Sequence, residues 1–225
     1  APPNIFLQTV LVLTNGGPLA IDDVMGSADA IVEAFNPAFG APVLAQTLFG
    51  ALNRWGKLPY TMYNKHYIES VDLSDYDMAK PPGRTYRYFT GEALFPYGWG
   101  LSYASFQHSC TEVASGAAAA EATTNFACTV RNVGDVAGEE VVMVYHAAGD
   151  AIRKAHDAPV PIKALCEFDR VALEPGEKTT IVFALPSAAF SLTNAAGDKV
   201  VPKGKRAIVF SRGDAKDDVS ITVTL

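Results

Sequence analysis

Residues 173–185, Leu-Glu-Pro-Gly-Glu-Lys-Thr-Thr-Ile-Val-Phe-Ala-Leu, join a tight turn to a segment of alternating side chains. Pro175 presets φ for a turn and Gly176 tolerates positive φ, so the chain is predicted to reverse at this point. After the turn, every second side chain is large and apolar: Ile181, Phe183 and Leu185. This alternation predicts a β-strand with one face in a core and the other face in solvent.

The same pattern recurs through residues 107–225. Phe126, Cys128 and Val130, for example, alternate with smaller or polar side chains and precede the turn sequence at residues 132–135. Strands are predicted near residues 107–111, 126–131, 140–147, 163–173, 179–185, 207–211 and 219–225. Seven short strands with intervening turns are typical of an Ig-like β-sandwich. The Ala-rich stretch 114–122 is predicted to be a solvent-exposed loop between the first two strands.

Residues 1–106 have the pattern of an α/β region instead. Thr9–Thr14 is a continuous apolar, β-branched run, as in a fully buried parallel strand, and Asp29–Phe35 predicts a second strand. Apolar positions at helical spacing predict a helix over residues 41–52. Residues 60–105 are irregular and rich in Tyr, Pro and Gly. The domain boundary is therefore predicted near Phe106.

The first region contains too few elements to cover a parallel sheet. Two parallel strands and one helix leave bare edges and an uncovered face, although parallel sheets are normally buried on both sides. The start of the chain, Ala1-Pro2-Pro3, has no Met and no basic leader, as in a processed or excised product. We therefore expect another segment to complete this sheet.

Charge and composition disfavour several classes of partner. The net charge is −6 and no stripe of Lys and Arg is visible, which argues against a nucleic-acid partner. No apolar run reaches the roughly 18 to 20 residues needed to cross a bilayer, so no membrane partner is expected. The four His residues show no ligand spacing, and neither a metal site nor a cofactor is predicted.

Several ordered motifs resemble glycoside hydrolase family 3. The chain resembles the family at residues 15–18 (NGGP), 29–34 (DAIVEA), 44–59, 83–89 (GRTYRYF) and 94–103 (LFPYGWGLSY). Residues 130–134, 138–142 and 173–177 resemble its fibronectin-III-like domain. Arg54, Trp55 and Trp99 depart from the residues that the family usually carries. The weakly xylosidase-like stretch 83–89 does not decide which sugar is cleaved.

The resemblance implies a retaining β-glycosidase with a (β/α)8 barrel, an αβα sandwich and a fibronectin-III-like domain. The family's nucleophile and acid/base lie N-terminal to the residues of this chain, so no catalytic residue is assigned here. The expected partners are a barrel-bearing segment of the same enzyme and an oligosaccharide with β-linked xylose or glucose at its non-reducing end. The alternative is a non-catalytic carbohydrate-binding or protein-docking module, because fold alone does not dictate function.

Carboxylates and tyrosines cluster in the irregular segment. Aromatic rings stack on sugar faces and carboxylates accept hydrogen bonds from hydroxyl groups, and long loops are where binding residues concentrate. The alternative is that these are ordinary solvated charges. The residues predicted to contact substrate are Asp72, Asp75, Tyr76 and Arg84.

Other polar and aromatic side chains have structural interpretations. Asp22 and Asp23 are predicted to cap a helix or remain solvated. Residues 84–89 are predicted to be extended, with an Arg stacked among Tyr rings at the domain interface. Trp55 and Trp99 are predicted to pack between the domains.

Three cysteines permit at most one internal disulfide. Cys110 and Cys128 lie on neighbouring predicted strands and either form this bond or remain free thiols. Cys166 is predicted to be an unpaired apolar filler. The protein is expected to be secreted, with an extracellular or vacuolar/lysosomal location.

Overall fold

The computed structural model of the protein describes residues 8–114 and 123–225, so most of the Ala-rich stretch predicted as a loop lies outside the described residues. The first region has two strands and three short helices. They are β1 (Val10–Leu13), α1 (Asp22–Met25), β2 (Ala30–Glu33), α2 (Ala41–Leu48) and α3 (Thr85–Tyr88). Across the described residues, no helix is both long enough and apolar enough to cross a bilayer.

Strands β1 and β2 form a parallel pair, in register from Val10 opposite Ala30 to Leu13 opposite Glu33. Leu13 is buried with Ile21, but Val10 is 50% exposed and Val12 is 36% exposed. The predicted burial of the first strand on both faces is therefore not found within the described residues, because their sheet has only two strands. The prediction of an open parallel sheet is confirmed.

The segment between residues 60 and 105 is anchored by Met62, whose backbone bridges to Phe95. Within it, the prediction that residues 84–89 are extended is wrong, because Thr85–Tyr88 is a helical turn. Thr85 has a φ of 60°, and its backbone N–H donates to the Tyr63 hydroxyl at 2.6 Å. The hydrogen-bond partner lies 22 residues earlier in the chain, so an alternation over so few residues could not reveal this turn.

The second region is a β-sandwich of two antiparallel sheets, and all seven predicted strands are present. The strands are β3 (Phe106–Val113), β4 (Thr123–Asn132), β5 (Gly138–Ala148), β6 (Ala164–Leu173), β7 (Lys178–Pro186), β10 (Lys205–Ser211) and β11 (Val219–Thr224). One sheet has the order β3-β4-β7 and the other β11-β10-β5-β6. The sequence did not predict helix α4 (Asp150–Ala155) or the small hairpin of β8 (Leu192–Thr193) and β9 (Lys199–Val200).

The alternating apolar side chains form the core between the two sheets. Phe126 pairs with Phe183 across β4 and β7, and Phe210 from the other sheet lies 5.3 Å from Phe126 between ring centroids. All three are essentially inaccessible to solvent. In the structure, the sulfur atoms of Cys110 and Cys128 are bonded across β3 and β4, and Cys166 is a free thiol.

The two regions meet so closely that glycine is required at the contact. Gly213, with a φ of +97°, follows β10, and a Cβ there would lie 1.8 Å from the carbonyl oxygen of Gly98. Gly98 has a φ of +85°, and a Cβ there would lie 2.6 Å from the methyl group of Met143. Residues 98 and 213 therefore set how near the first region lies to the sandwich.

We predict that Gly213→Ala destabilises the protein far more than Gly176→Ala. Both glycines have positive φ, but a Cβ at Gly176 would meet nothing within 4 Å. Gly176→Ala should cost about 1 kcal/mol, for the backbone conformation alone. Gly213→Ala should cost at least about 3 kcal/mol, because it adds a backbone clash. Urea unfolding measures both, and equal losses would contradict the close contact.

Candidate functional site

The carboxyl ends of β1 and β2 meet at one edge of the sheet, the position where α/β proteins commonly bind ligands. Here the Glu33 carboxylate accepts hydrogen bonds from Asn15 Nδ2 at 3.1 Å, the Tyr60 hydroxyl at 2.7 Å and the Phe35 N–H at 3.0 Å. Burial, together with the hydrogen bond to Glu33, raises the pKa of Tyr60 above its usual range. Glu33 therefore stabilises this edge of the sheet by accepting hydrogen bonds from three donors.

Glu33 was not predicted as a site residue, although its position at the end of a predicted parallel strand could have indicated one. The interpretation of Asp22 as a helix cap is wrong, because Ile21 is the cap residue and Asp22 and Asp23 lie in the first turn. Asp22 Oδ2 accepts the Lys65 N–H at 3.0 Å, and Asp23 pairs with Lys65 Nζ at 2.5 Å. This pair ties α1 to the irregular segment.

Three of the four residues predicted to contact substrate line one open cleft, with a volume of about 310 Å³. These are Asp72, Asp75 and Arg84. Arg84 Nη2 donates to the backbone carbonyl of Asp72 at 2.5 Å, which closes one wall of the cleft. Tyr76 is not part of the lining, and its side chain is 90% exposed.

The cleft carboxylates are held in their charged form. Hydrogen bonds from the hydroxyl and N–H of Ser74 lower the pKa of Asp72. A hydrogen bond from Lys80, 2.6 Å from Asp75, lowers the pKa of that carboxyl group. Groups that remain ionised accept hydrogen bonds from hydroxyl groups but are poorly suited to donate a proton as a general acid.

A small aromatic cluster lies in the same irregular segment as the cleft. Tyr63 and Tyr67 stack with their centroids 3.8 Å apart, and the edge of Phe89 packs near both. The Tyr67 hydroxyl donates to the Gly83 carbonyl at 2.9 Å, and burial raises the pKa of Tyr67 to about 12. These two tyrosines stack on each other and do not line the cleft.

The ring contact between the regions is made by Tyr86, and the predicted stacking of an Arg on a Tyr ring is found at Arg87, which lies over the Tyr88 ring. Tyr86 stacks on Tyr97 at 4.5 Å and meets Tyr145 of the sandwich edge-on at 5.7 Å. The ring-to-ring contacts of the two tryptophans are with aromatic residues of the first region, and the Trp99 backbone lies against Gly213 of the sandwich. Trp55 contacts Tyr103 and Trp99 contacts Phe95.

A buried ion network joins the two regions. Glu140 on β5 is 4% exposed, and its carboxylate lies 3.0 Å from Lys57 Nζ and 3.1 Å from Arg212 Nη1. Arg212 Nε donates to His108 Nδ1 at 2.9 Å. Burial, followed by the charge of Arg212, lowers the pKa of His108. A neutral His108 is what this hydrogen bond requires, because Arg212 can only donate.

The described residues contain no cluster of three or more His, Cys, Asp or Glu side chains that could hold a metal ion. The first region thus has the edge of a parallel sheet and a cleft formed by an irregular segment. Buried charges hold this region against the β-sandwich. This is the architecture of a modular protein with a scaffold domain.

Comparison with known proteins identifies the family. Residues 4–103 match the glycosyl hydrolase family 3 C-terminal domain, and residues 140–212 match the fibronectin type III-like domain. The chain belongs to glycoside hydrolase family 3.

Curated relatives and solved structures agree. A xylan 1,4-β-xylosidase from Xylanibacter ruminicola is 34% identical over 97% of this chain and 24% of its own length. A thermostable β-glucosidase B from Acetivibrio thermocellus is 33% identical over 82% of the chain and 25% of its own length. A Bifidobacterium adolescentis β-glucosidase structure aligns over 96% of this chain and 32% of its own, with 28% identity and a TM-score of 0.77. The chain thus spans about a quarter of the length of these curated relatives.

We predict that Glu140→Gln destabilises the protein by about 3 kcal/mol, because it leaves the largely buried Lys57 without its carboxylate partner and Arg212 with Asp217 alone. Glu139→Gln, on the same strand, is the matched control. Glu139 pairs with Arg54 and Arg170 but is partly exposed, so its loss should cost less than about 1 kcal/mol. Denaturant unfolding measures both variants. Equal losses of unfolding free energy in the two variants would show that the buried network stabilises the protein no more than a surface ion pair does.

Proposed function

We propose that this chain is the non-catalytic C-terminal part of a retaining β-glycosidase. The enzyme would remove β-linked xylose or glucose from the non-reducing ends of oligosaccharides. The main support is the agreement of both matched domains with one family whose curated relatives are named β-xylosidases and β-glucosidases.

The state of the carboxylates supports placing catalysis outside these residues. A retaining glycosidase needs one carboxyl group with a raised pKa as acid and a second one as nucleophile. Asp72 and Asp75 have lowered pKa values, and the Glu33 carboxylate is occupied by three donors. The proposed nucleophile lies on a (β/α)8 barrel and the proposed acid/base early in the αβα sandwich, both N-terminal to the residues of this chain.

The exposed side of the parallel sheet supports the proposed barrel-bearing partner segment. Val10 and Val12 present apolar surface on a strand that normally lies inside a sheet. We assign residues 1–106 to the end of the αβα sandwich and 107–225 to the fibronectin-III-like domain. The joint at Glu140 would hold the first domain in a fixed position beside the barrel.

The cleft is proposed to contact the oligosaccharide through Asp72, Asp75 and Arg84, with Tyr76 as an exposed aromatic beside it. Ionised carboxylates and a guanidinium are suited to sugar hydroxyl groups because they accept and donate strong hydrogen bonds. The enzyme is proposed to be secreted, to an extracellular or vacuolar compartment. The bonded pair Cys110 and Cys128 supports an oxidising location.

The central test is an assay with an aryl β-xyloside and an aryl β-glucoside. We expect no turnover by the 225-residue chain and clear turnover by the intact protein that contains it. Turnover by the isolated chain would refute the proposal, because the catalytic carboxylates would then lie within these residues. Inactivity of the intact protein on every β-linked substrate would favour a binding module.

A second test concerns the cleft. In the intact enzyme, Asp75→Asn should raise KM for a β-linked oligosaccharide about fivefold and leave kcat nearly unchanged, because a charged hydrogen bond to bound substrate is lost. Glu112→Gln, an exposed carboxylate on β3, is the matched control and should change neither constant. An unchanged KM in Asp75→Asn would remove the cleft from the substrate path.

A further inference from the structure

A small cavity lies where α3 meets the sandwich, on the side of β5 near the β8–β9 hairpin. It has a volume of about 40 Å³. Its walls include Arg87 and Tyr88 from the first region and His146, Thr193 and Lys199 from the sandwich. Neither the family resemblance nor the proposed function assigns a role to it.

His146 lines this cavity and has an unused hydrogen-bond donor. Its side chain is 2% exposed, and its Nε2 lies 3.2 Å from Arg206 Nη1. Because a guanidinium only donates, Nε2 must be the acceptor, and a neutral imidazole then carries its hydrogen on Nδ1. Burial, followed by the charges of Arg206 and Arg153, lowers the pKa of His146 to about 4, so the ring is neutral at pH 7. Nδ1 is buried and has no partner among the described residues.

Two cations in the cavity wall lack carboxylate partners. Neither Arg87 nor Lys199 has an acidic oxygen within 4.0 Å in residues 8–114 and 123–225. Lys199 Nζ donates to Thr193 Oγ1 at 2.7 Å, and the Arg87 guanidinium lies 6.0 Å from the centre of the Tyr88 ring. Both side chains are exposed, so each can orient toward an anion at low cost.

Two further cations lie behind the wall. Arg153 donates to the carbonyls of Ala148, Val160, Pro161 and Ile162. Arg206 is buried and donates to the carbonyls of Phe190 and Pro202 as well as to His146. Backbone carbonyls accept hydrogen bonds from both guanidinium groups but do not neutralise their charge, so the cavity is surrounded by positive charge.

Two acidic side chains close to the cavity along the chain, Asp157 and Asp198, are held by other groups. Asp157 accepts the Ala195 N–H at 3.2 Å and lies 3.8 Å from His156 Nδ1. Asp198 is engaged by Asn194 across the tip of the hairpin. Neither carboxylate is part of the cavity lining.

We propose that this cavity binds a small oxyanion, either inorganic phosphate or the carboxylate of an acidic molecule. The His146 Nδ1–H, the Thr193 hydroxyl, Lys199 and Arg87 would provide donors from both regions. A volume of about 40 Å³ admits about three waters, so it accommodates the head of one oxyanion but excludes a sugar ring. The bound anion would link α3 to the sandwich, a role independent of the proposed glycosidase activity.

The test is isothermal titration calorimetry of the intact protein with sodium phosphate, with sodium acetate and sodium chloride at matched ionic strength. Wild type should bind one phosphate or acetate saturably, and chloride should not replace it. Arg87→Ala and Lys199→Ala should each weaken binding about tenfold, since each removes a charged hydrogen bond. Lys154→Ala, an exposed cation on α4 that does not line the cavity, should bind as wild type does.

Binding of phosphate alone identifies a phosphate site, and binding of acetate as well identifies a carboxylate site. The proposal is overturned if neither anion saturates, if chloride gives the same heat, or if Lys154→Ala weakens binding as much as Arg87→Ala. The melting temperature of each variant without anion shows that the substitutions leave the fold intact.

Discussion

The arrangement of this protein depends on one buried carboxylate. Glu140 leaves water only because Lys57 from the first region and Arg212 from the sandwich both meet it at hydrogen-bond distance. Burying a charge without such partners would cost several kcal/mol. The network therefore fixes the position of the segment around Lys57, and the close backbone contact of Gly98 with Gly213 follows from it. The substrate cleft proposed here lies on residues 69–84, which follow Lys57 in the first region, so its orientation depends on this joint.

The joint also gives the sandwich a physical role in the proposed enzyme. Asp72, Asp75 and Arg84 lie on a long irregular segment that has little regular secondary structure of its own. Such a segment holds its shape only when other elements support it. Tyr86, through its contacts with Tyr97 and Tyr145, ties the segment to β5. The sandwich thus serves as a scaffold for a cleft on the neighbouring region, while the open parallel sheet remains available to the proposed barrel-bearing segment.

Much of this fold could be predicted from local patterns. Alternation at Phe126, Cys128 and Val130 reports directly which side chains face a core, so the seven strands followed from the sequence. The helical turn Thr85–Tyr88 could not be predicted, because a single turn is too short to show a period. The hydrogen bond that accompanies it is accepted by the hydroxyl of Tyr63, which is distant along the chain. The ion-pair partners of Glu140 could not be predicted either, since they lie far from it along the chain. For the candidate site, Asp72, Asp75 and Arg84 share one irregular segment and line one cleft, but the sequence could not show that Tyr76 lies outside the lining.

The claim that buried charges join both regions into one cooperative unit has a direct test. The two tryptophans of the chain, Trp55 and Trp99, both lie in the first region, so their fluorescence reports its unfolding. Far-ultraviolet circular dichroism reports mainly the strands of the sandwich. In urea, the account predicts that the two signals change at the same midpoint, as a single cooperative transition requires. Separate midpoints, with the tryptophan signal lost first, would contradict it.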